Sequence, residues 1–158
     1  MKITLIIISV LIIFVIVFLF SKGINSRTGI APGIIDGMLS QCPNKPNCVC
    51  SEREEESAHY IEPVIISPDN AADLIPLIKS IITEMGGVLQ SENEYYLAYH
   101  FTSAIFGFVD DFEIRIDSKQ KLIHFRSASR VGTSDLGVNE NRVELLKKLY
   151  KEKVLTTI

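Results

Sequence analysis

The sequence predicts an α+β fold, a two-layer domain with helices on one face of a mainly antiparallel sheet, preceded by one N-terminal transmembrane helix. Three observations predict this fold. Residues 3–20 form an uncharged apolar run, residues 88–129 alternate apolar and polar side chains, and residues 74–85 and 143–150 carry apolar side chains at helical spacing. With 158 residues, 47% of them hydrophobic, the chain is long enough for one globular domain and short of two.

The apolar run is the first element. It contains no Gly or Pro, and as a helix it spans about 27 Å, close to the thickness of a bilayer's hydrocarbon core. A cleaved signal peptide is the alternative, because Ser21-Lys22-Gly23 places small residues where a signal peptidase cuts. The run is longer than an ordinary signal core, however, and no Ala-x-Ala site comes after it. We therefore predict a transmembrane anchor, or an uncleaved signal, at residues 1–22.

The segment after the apolar run is rich in Gly, Ser, Ala and Pro, which predicts a linker at residues 23–36 and an α+β domain at residues 37–158. Counting Lys2 against Lys22 and Arg27, the positive-inside rule favours a cytoplasmic domain by one charge. A very short head before the run is instead typical of an anchor that exports the C-terminal domain. We expect a single-pass protein of the cell (inner) membrane with an extracytoplasmic domain.

The first half of the domain contains a β-branched segment and an amphipathic helix. Residues 59–66 are typical of a strand, and Pro63 places that strand at an edge or a bulge. Ser67 or Asp69 is suited to cap the next helix, with Pro68 in its first turn, and Gly86-Gly87 ends it. The apolar stripe of this helix consists of Leu74, Ile75, Ile78, Ile81, Ile82 and Met85.

The second half predicts two hairpins and a last helix. Two strands lie between residues 88 and 102, and two more lie at residues 108–117 and 122–129. In the second hairpin, Phe112, Ile114, Ile116, Ile123 and Phe125 share one face, while Asp111, Glu113, Arg115, Asp117, His124 and Arg126 point outward. Either register that keeps this alternation sets Arg126 opposite Asp111 or Glu113. Asn139 is suited to cap a helix that runs to about Lys153.

Three blocks, "CPNKPNCV", "FGFVDDFEIRID" and "RSASRVGTSDLGVNENR", together resemble the bacterial and plastid family named domain of unknown function 1499. The resemblance covers roughly Gly37 to Tyr150 and implies a family without an established activity, often membrane-anchored or exported. The chain departs from the usual family pattern at Cys50, where a serine is usual, and at Glu140-Asn141, where the family has Arg-Lys.

The cysteines allow several arrangements. Cys42 and Cys48 enclose a short loop, and a disulfide between them suits an exported domain. Cys50 is then either a thiol or the partner of Cys42 in place of Cys48. A zinc site needs a fourth ligand, for which His59 is the nearby candidate, so we expect a disulfide rather than reduced buried thiols or a metal. No cofactor is expected, because Walker-type and dinucleotide glycine patterns are absent.

The polar stretch at residues 126–137, "RSASRVGTSDLG", is the candidate binding site. One hypothesis is an anion pocket in which Arg126 and Arg130, with the loop of Gly132, Ser134 and Asp135, hold a phosphate, carboxylate or lipid head group. The other interpretation is loop architecture, with the arginines paired to Asp110 or Asp111.

The sequence thus favours a membrane-anchored envelope protein whose domain binds a small anion, a lipid head group or a protein partner. The alternative is a hydrolase-like enzyme that uses Asp110 or Asp111 with Arg126 and Arg130. His59, His100 and His124 lie on different predicted strands without a nucleophile motif, which favours binding over catalysis. Nucleic acid is not an expected partner, because the basic half of the chain lacks interleaved aromatic residues.

Overall fold

A computed structural model describes residues 2–52, 58–67 and 74–156 of the chain. Within these residues the helices are α1 (Lys2–Ser26), α2 (Leu74–Glu84) and α3 (Val138–Thr156). The strands are β1 (Ile34–Ile35), β2 (Met38–Leu39), β3 (Cys48–Cys50), β4 (Val64–Ile65), β5 (Val88–Glu92), β6 (Tyr96–Thr102), β7 (Val109–Asp117) and β8 (Leu122–Ser129). Two residues suggested as helix-start signals, Pro68 and Asp69, lie outside the described residues.

The described strands form a six-stranded antiparallel sheet and a separate β1–β2 hairpin. The sheet order is β3-β8-β7-β6-β5, and β4 pairs with the opposite end of β8 from β3. Long strands β7 and β8 form its centre, in a register that pairs Glu113 with Arg126. The predicted α+β class is confirmed, and so is the parity of the second hairpin.

Helices α2 and α3 pack on the apolar face of the sheet. The side chains of Ile78, Ile81 and Ile82 from α2 are fully buried, as predicted from their helical spacing. Gly86, with a φ of 89°, ends α2 in the left-handed conformation that glycine adopts without strain. The buried members of this core from α3 and the central strands are Val143, Leu146, Tyr150, Phe112, Ile114, Ile123 and Phe125.

The predicted strand at residues 59–66 is wrong over most of its length, since only Val64–Ile65 pair with β8. Tyr60 instead forms an isolated parallel bridge with Cys50, and the amide of Ile61 donates to the Cys50 carbonyl. Pro63 has no N–H for a sheet ladder, which explains why regular pairing does not extend through this segment.

The face of the sheet opposite α2 and α3 is polar and buried, although we predicted that its side chains point outward. Asp111, Glu113 and Arg126 are at most 6% exposed. We call the segment that covers them, residues 27–42, the cover; it contains the β1–β2 hairpin and ends at Cys42. The cover packs through a second apolar cluster of Leu39, Cys42, Cys48, Cys50, Tyr96, Ala98 and Ala128.

Candidate functional site

The C-terminal end of α1 is docked on the sheet. A β-carbon added to Gly23 would lie 1.8 Å from the Phe106 carbonyl oxygen, so only glycine permits this approach of helix and loop. Ser26 is 1% exposed, and its hydroxyl accepts a hydrogen bond from the Val109 amide at 3.0 Å. The rings of Phe20 and Phe106 meet edge to face at 5.3 Å. The helix and the domain therefore form a continuous packed junction.

Beside this junction lies a cavity of about 560 Å³, which we call the α1 cleft. One wall is the last apolar turn of α1. The other wall comes from the β6–β7 loop (residues 103–108), the β8–α3 loop (residues 130–137) and the ends of the elements that these loops join. The lining residues are Phe18, Leu19, Lys22, Ser103, Phe108, Val109, Asp110, Ser129, Val131, Gly132, Thr133, Ser134, Asp135 and Val138.

The lining of the α1 cleft is apolar on the helix side and rich in hydroxyl groups on the loop side. Its two carboxylates are already engaged. Asp110 accepts a hydrogen bond from the Arg142 guanidinium at 2.7 Å, and Asp135 accepts the amides of Gly137 and Asn139 at the start of α3. Lys22 is exposed at the rim, with its ammonium 5.5 Å from the centre of the Phe18 ring. The α1 cleft thus offers one cation, several hydroxyls and an apolar wall.

The structure separates the residues of the predicted anion pocket into two groups. Gly132, Ser134 and Asp135 line the α1 cleft, whereas Arg126 and Arg130 do not. Arg126 donates to Glu113 at 2.7 Å beneath the cover, and Glu113 also accepts the Gly33 amide and the Tyr96 hydroxyl. Burial and the neighbouring Glu113 raise the pKa of Tyr96 above its ordinary range, so this phenol stays a hydrogen-bond donor.

Arg130 is paired with Asp111 and contacts the end of α1. Its guanidinium grips both oxygens of Asp111 and donates to the Ser26 carbonyl at 3.2 Å. Gly29 of the cover lies so close that an added β-carbon would be 2.8 Å from the Arg130 side chain. Arg130 therefore connects the end of α1 to the sheet, and its guanidinium does not line the α1 cleft.

Asn139 was predicted to cap α3, but the structure gives this role to Asp135. The Asp135 carboxylate accepts the Asn139 amide at 2.8 Å, while the Asn139 side chain lies buried among other polar groups. It accepts the Ser127 hydroxyl and donates to the Asn47 carbonyl. These contacts fix the start of α3 next to the α1 cleft.

The disulfide loop, residues 42–48, contacts the β8–α3 loop through Asn47. The Sγ atoms of Cys42 and Cys48 are bonded at 2.03 Å, and Cys50 lies buried beside them in the second apolar cluster. Asn47, inside the disulfide loop, donates to the Gly132 carbonyl at 3.2 Å and accepts the Ser129 amide at 3.0 Å. The disulfide loop thereby holds one wall of the α1 cleft in place. Among the described residues, no cluster of three or more metal-ligating side chains occurs.

A second cavity, of about 510 Å³, lies at the opposite end of β8. Here the Ser51 hydroxyl is 3.2 Å from His124 Nδ1, and Arg115 is paired with Glu52. Burial lowers the pKa of His124, with Glu52 opposing that shift. The Ser51 hydroxyl oxygen also accepts a hydrogen bond from the Phe125 amide at 2.8 Å. Ser51 therefore connects the end of β3 to β8.

Several cleft residues were missed by sequence reasoning, among them Phe18, Leu19, Lys22, Ser103 and Phe108. One signal was present, since the β6–β7 loop reads "SAIFGF" where a surface turn is ordinarily polar. The contribution of α1 had no signal, because an anchor pattern does not reveal which domain surface the helix touches.

The fold and its cleft define an α+β domain joined to an N-terminal helix that is long and apolar enough to cross a membrane, a test that signal sequences also pass. The chain belongs to the family described as Protein of unknown function (DUF1499), whose sequence profile matches residues 38–149. No curated protein and no solved structure matches the chain.

Proposed function

We propose that α1 is an uncleaved membrane anchor and that the domain binds the head group of a membrane lipid in the α1 cleft. The protein then resides in the cell (inner) membrane as a single-pass protein with an extracytoplasmic domain. The observation that carries this proposal is that Phe18 and Leu19, within the predicted membrane span, form one wall of a cavity. The other wall carries several hydroxyl groups among apolar side chains.

Position along α1 supports a lipid rather than a soluble ligand. Phe18 and Lys22 are one helical turn apart, so the cleft extends about 6 Å along the helix axis between them. In a membrane-spanning α1, Lys22 lies at the head-group level and Phe18 at the edge of the hydrocarbon. A phospholipid can enter sideways, with an acyl chain along α1, its phosphate near Lys22 and its polar groups near Ser103, Thr133 or Ser134.

The packing of the junction supports an uncleaved helix. Cleavage after Gly23 would remove the Phe20 contact with Phe106 and the α1 wall of the cleft. It would also cut a helix whose next turn, at Ser26, is buried against β7.

The other sequence-based proposals have less support. A hydrolase using Asp110 or Asp111 with Arg126 and Arg130 requires the four groups to converge, but Asp110 pairs with Arg142 of α3 and Asp111 with Arg130 under the cover. A soluble-anion site requires guanidinium donors that both arginines have already committed to carboxylates.

The test of the lipid proposal is native mass spectrometry of the full chain released from mixed micelles of detergent, phosphatidylglycerol and phosphatidylethanolamine. We expect one retained phospholipid per chain. Val138→Trp fills the cleft and should reduce retention by about tenfold, whereas Leu145→Trp should not. The two positions are matched, because both lie on α3 with exposures of 46% and 45%, and Leu145 does not line the cleft.

Lys22→Gln should reduce retention of phosphatidylglycerol more than that of phosphatidylethanolamine, because the ammonium attracts a net negative head group. Equal retention by the wild type, Val138→Trp and Leu145→Trp proteins would refute cleft binding. Recovery of the native chain shortened to a start near Gly23 would refute the anchor.

A further inference from the structure

Two exposed apolar side chains stand at the tips of the loops that flank α1. Ile105, in the β6–β7 loop, is 74% exposed, and Leu136, in the β8–α3 loop, is 92% exposed. Both loops contribute to the α1 cleft, so both lie on the side of the domain from which α1 emerges. Large aliphatic side chains presented to water on two loops that line the same cavity are suited to contact another apolar phase.

Both tips are held in fixed conformations. Leu136 has a φ of 57°, in the left-handed region that residues with a β-carbon rarely adopt, and its amide donates to the Ser134 hydroxyl. The base of the β6–β7 loop is closed by the Ser103 amide on the Phe108 carbonyl and the Phe108 amide on the Ser103 hydroxyl. The fold therefore presents these side chains outward instead of allowing them to collapse onto the domain.

The level of the tips along α1 indicates what they contact. Phe106, next to Ile105, meets Phe20, the last residue of the apolar run. The loop that carries Leu136 shares the cleft with Phe18 and Leu19. When α1 spans a bilayer, both tips consequently lie at the boundary between head groups and hydrocarbon.

The distribution of charged side chains agrees with this placement of the loops at the membrane surface. The loops at residues 103–108 and 130–137 contain two charged side chains, Arg130, which is paired with Asp111, and Asp135, which caps α3. The other end of the sheet carries Glu92, the last residue of β5, and Glu94, Lys119 and Lys121 in the turns. Arg27, at the end of α1, packs against Gly107 of the β6–β7 loop and adds a cation at head-group level.

We infer that Ile105 and Leu136 insert into the leaflet from which α1 emerges, so that the domain lies directly against the bilayer that anchors it. The partner of this surface is the lipid surface itself. The inference rests on the proposed anchoring by α1 and does not require a lipid in the α1 cleft. Insertion agrees with the packed junction at Gly23, because a docked helix and two inserted tips together fix the domain's orientation relative to the bilayer.

The experiment uses the absence of tryptophan from the chain, which makes any introduced tryptophan a unique fluorophore. Ile105→Trp and Leu136→Trp are prepared in full-length protein and reconstituted into phosphatidylcholine–phosphatidylglycerol vesicles, with or without brominated acyl chains. The matched control is Ile65→Trp, because Ile65 is 76% exposed and lies on β4 beside Leu122, at the far end of β8 from the loops.

We expect blue-shifted emission and at least about twofold quenching by brominated lipid for Ile105→Trp and Leu136→Trp, with neither effect for Ile65→Trp. Emission and quenching equal to the control at both loop positions would overturn the inference. A blue shift without bromine quenching would overturn it as well, since a protein surface or second copy would then cover the tips. Lipid retention by these variants in micelles reports separately on the cleft.

Discussion

At the scale of single residues, Glu113 shows how a polar side chain is kept in the interior. It is 0% exposed and accepts hydrogen bonds from Arg126, Tyr96 and the Gly33 amide. A buried carboxylate is tolerated only when its lone pairs have such partners. The Glu113 carboxylate therefore joins the cover, through Gly33, to Arg126 of the sheet.

Removal of Arg126 tests this arrangement. Arg126→Ala should lower the free energy of unfolding by about 3–5 kcal/mol, because it leaves Glu113 buried with its charge uncompensated. For an exposed pair, the sequence alone would predict about 1 kcal/mol. Lys79→Ala is the matched control, because the Lys79–Glu92 pair has side-chain exposures of 35% and 43%. Urea unfolding of the full chain in detergent, followed by circular dichroism, measures both variants; equal losses would contradict a buried pair.

At the scale of elements, the junction of α1 with β7 depends on close backbone approach. The Gly23 backbone touches the carbonyl of Phe106, and the next turn of the helix provides the Ser26 hydroxyl that satisfies the Val109 amide. Arg130 adds its contact to the Ser26 carbonyl. A helix connected only by a flexible linker would show none of these contacts.

Gly23→Leu should therefore displace α1 from the β6–β7 loop without unfolding the sheet. The expected result is exchange of the Val109 amide hydrogen faster by about tenfold or more, because its acceptor on Ser26 moves away. Ser21→Leu introduces the same side chain at an exposed position two residues earlier and should leave this exchange unchanged. Hydrogen exchange measured by NMR in detergent distinguishes the variants. Unchanged protection of Val109 in Gly23→Leu would show that α1 is not docked.

At the scale of the whole molecule, the disulfide loop, the β8–α3 loop and the end of α1 form one support for the α1 cleft. Asn47 connects the first two through the Gly132 carbonyl, and Arg130 connects the sheet to α1. This explains physically why the cysteine block and the polar stretch, far apart in the chain, belong to one structural unit.

The compartment of the domain can be tested through the same loop. If the domain is extracytoplasmic, alkylation of intact cells before lysis should leave Cys42 and Cys48 protected as a disulfide, with only Cys50 alkylated after denaturation. Mass spectrometry of the three cysteine peptides measures this. Cys42→Ser should then lower stability by about 2 kcal/mol by the loop-entropy estimate. Alkylation of all three thiols after denaturation would instead place the domain in the cytoplasm.

Much of the fold could be predicted from local patterns of apolar and polar residues in the sequence. Alternation in β6, β7 and β8 and helical spacing in α2 report the burial of one face, and burial of one face is a local property of a strand or helix. The parity of Arg126 likewise predicted an acidic neighbour, and Glu113 occupies that position. Residues 59–66 failed the same reasoning, because β-branched composition does not reveal that regular pairing is limited to Val64–Ile65, next to Pro63.

The sequence by itself determined the apolar N-terminal helix, the α+β class, the hairpins β5–β6 and β7–β8, and the family. Each depends on residues close together in the chain, where spacing alone reports on structure. Only the tertiary structure decided that the polar face of the sheet is buried beneath the cover, and that Arg126 and Arg130 are committed to Glu113 and Asp111. It also placed Phe18 and Leu19 opposite the β8–α3 loop, because contacts across more than a hundred residues arise from packing, which no local periodicity encodes.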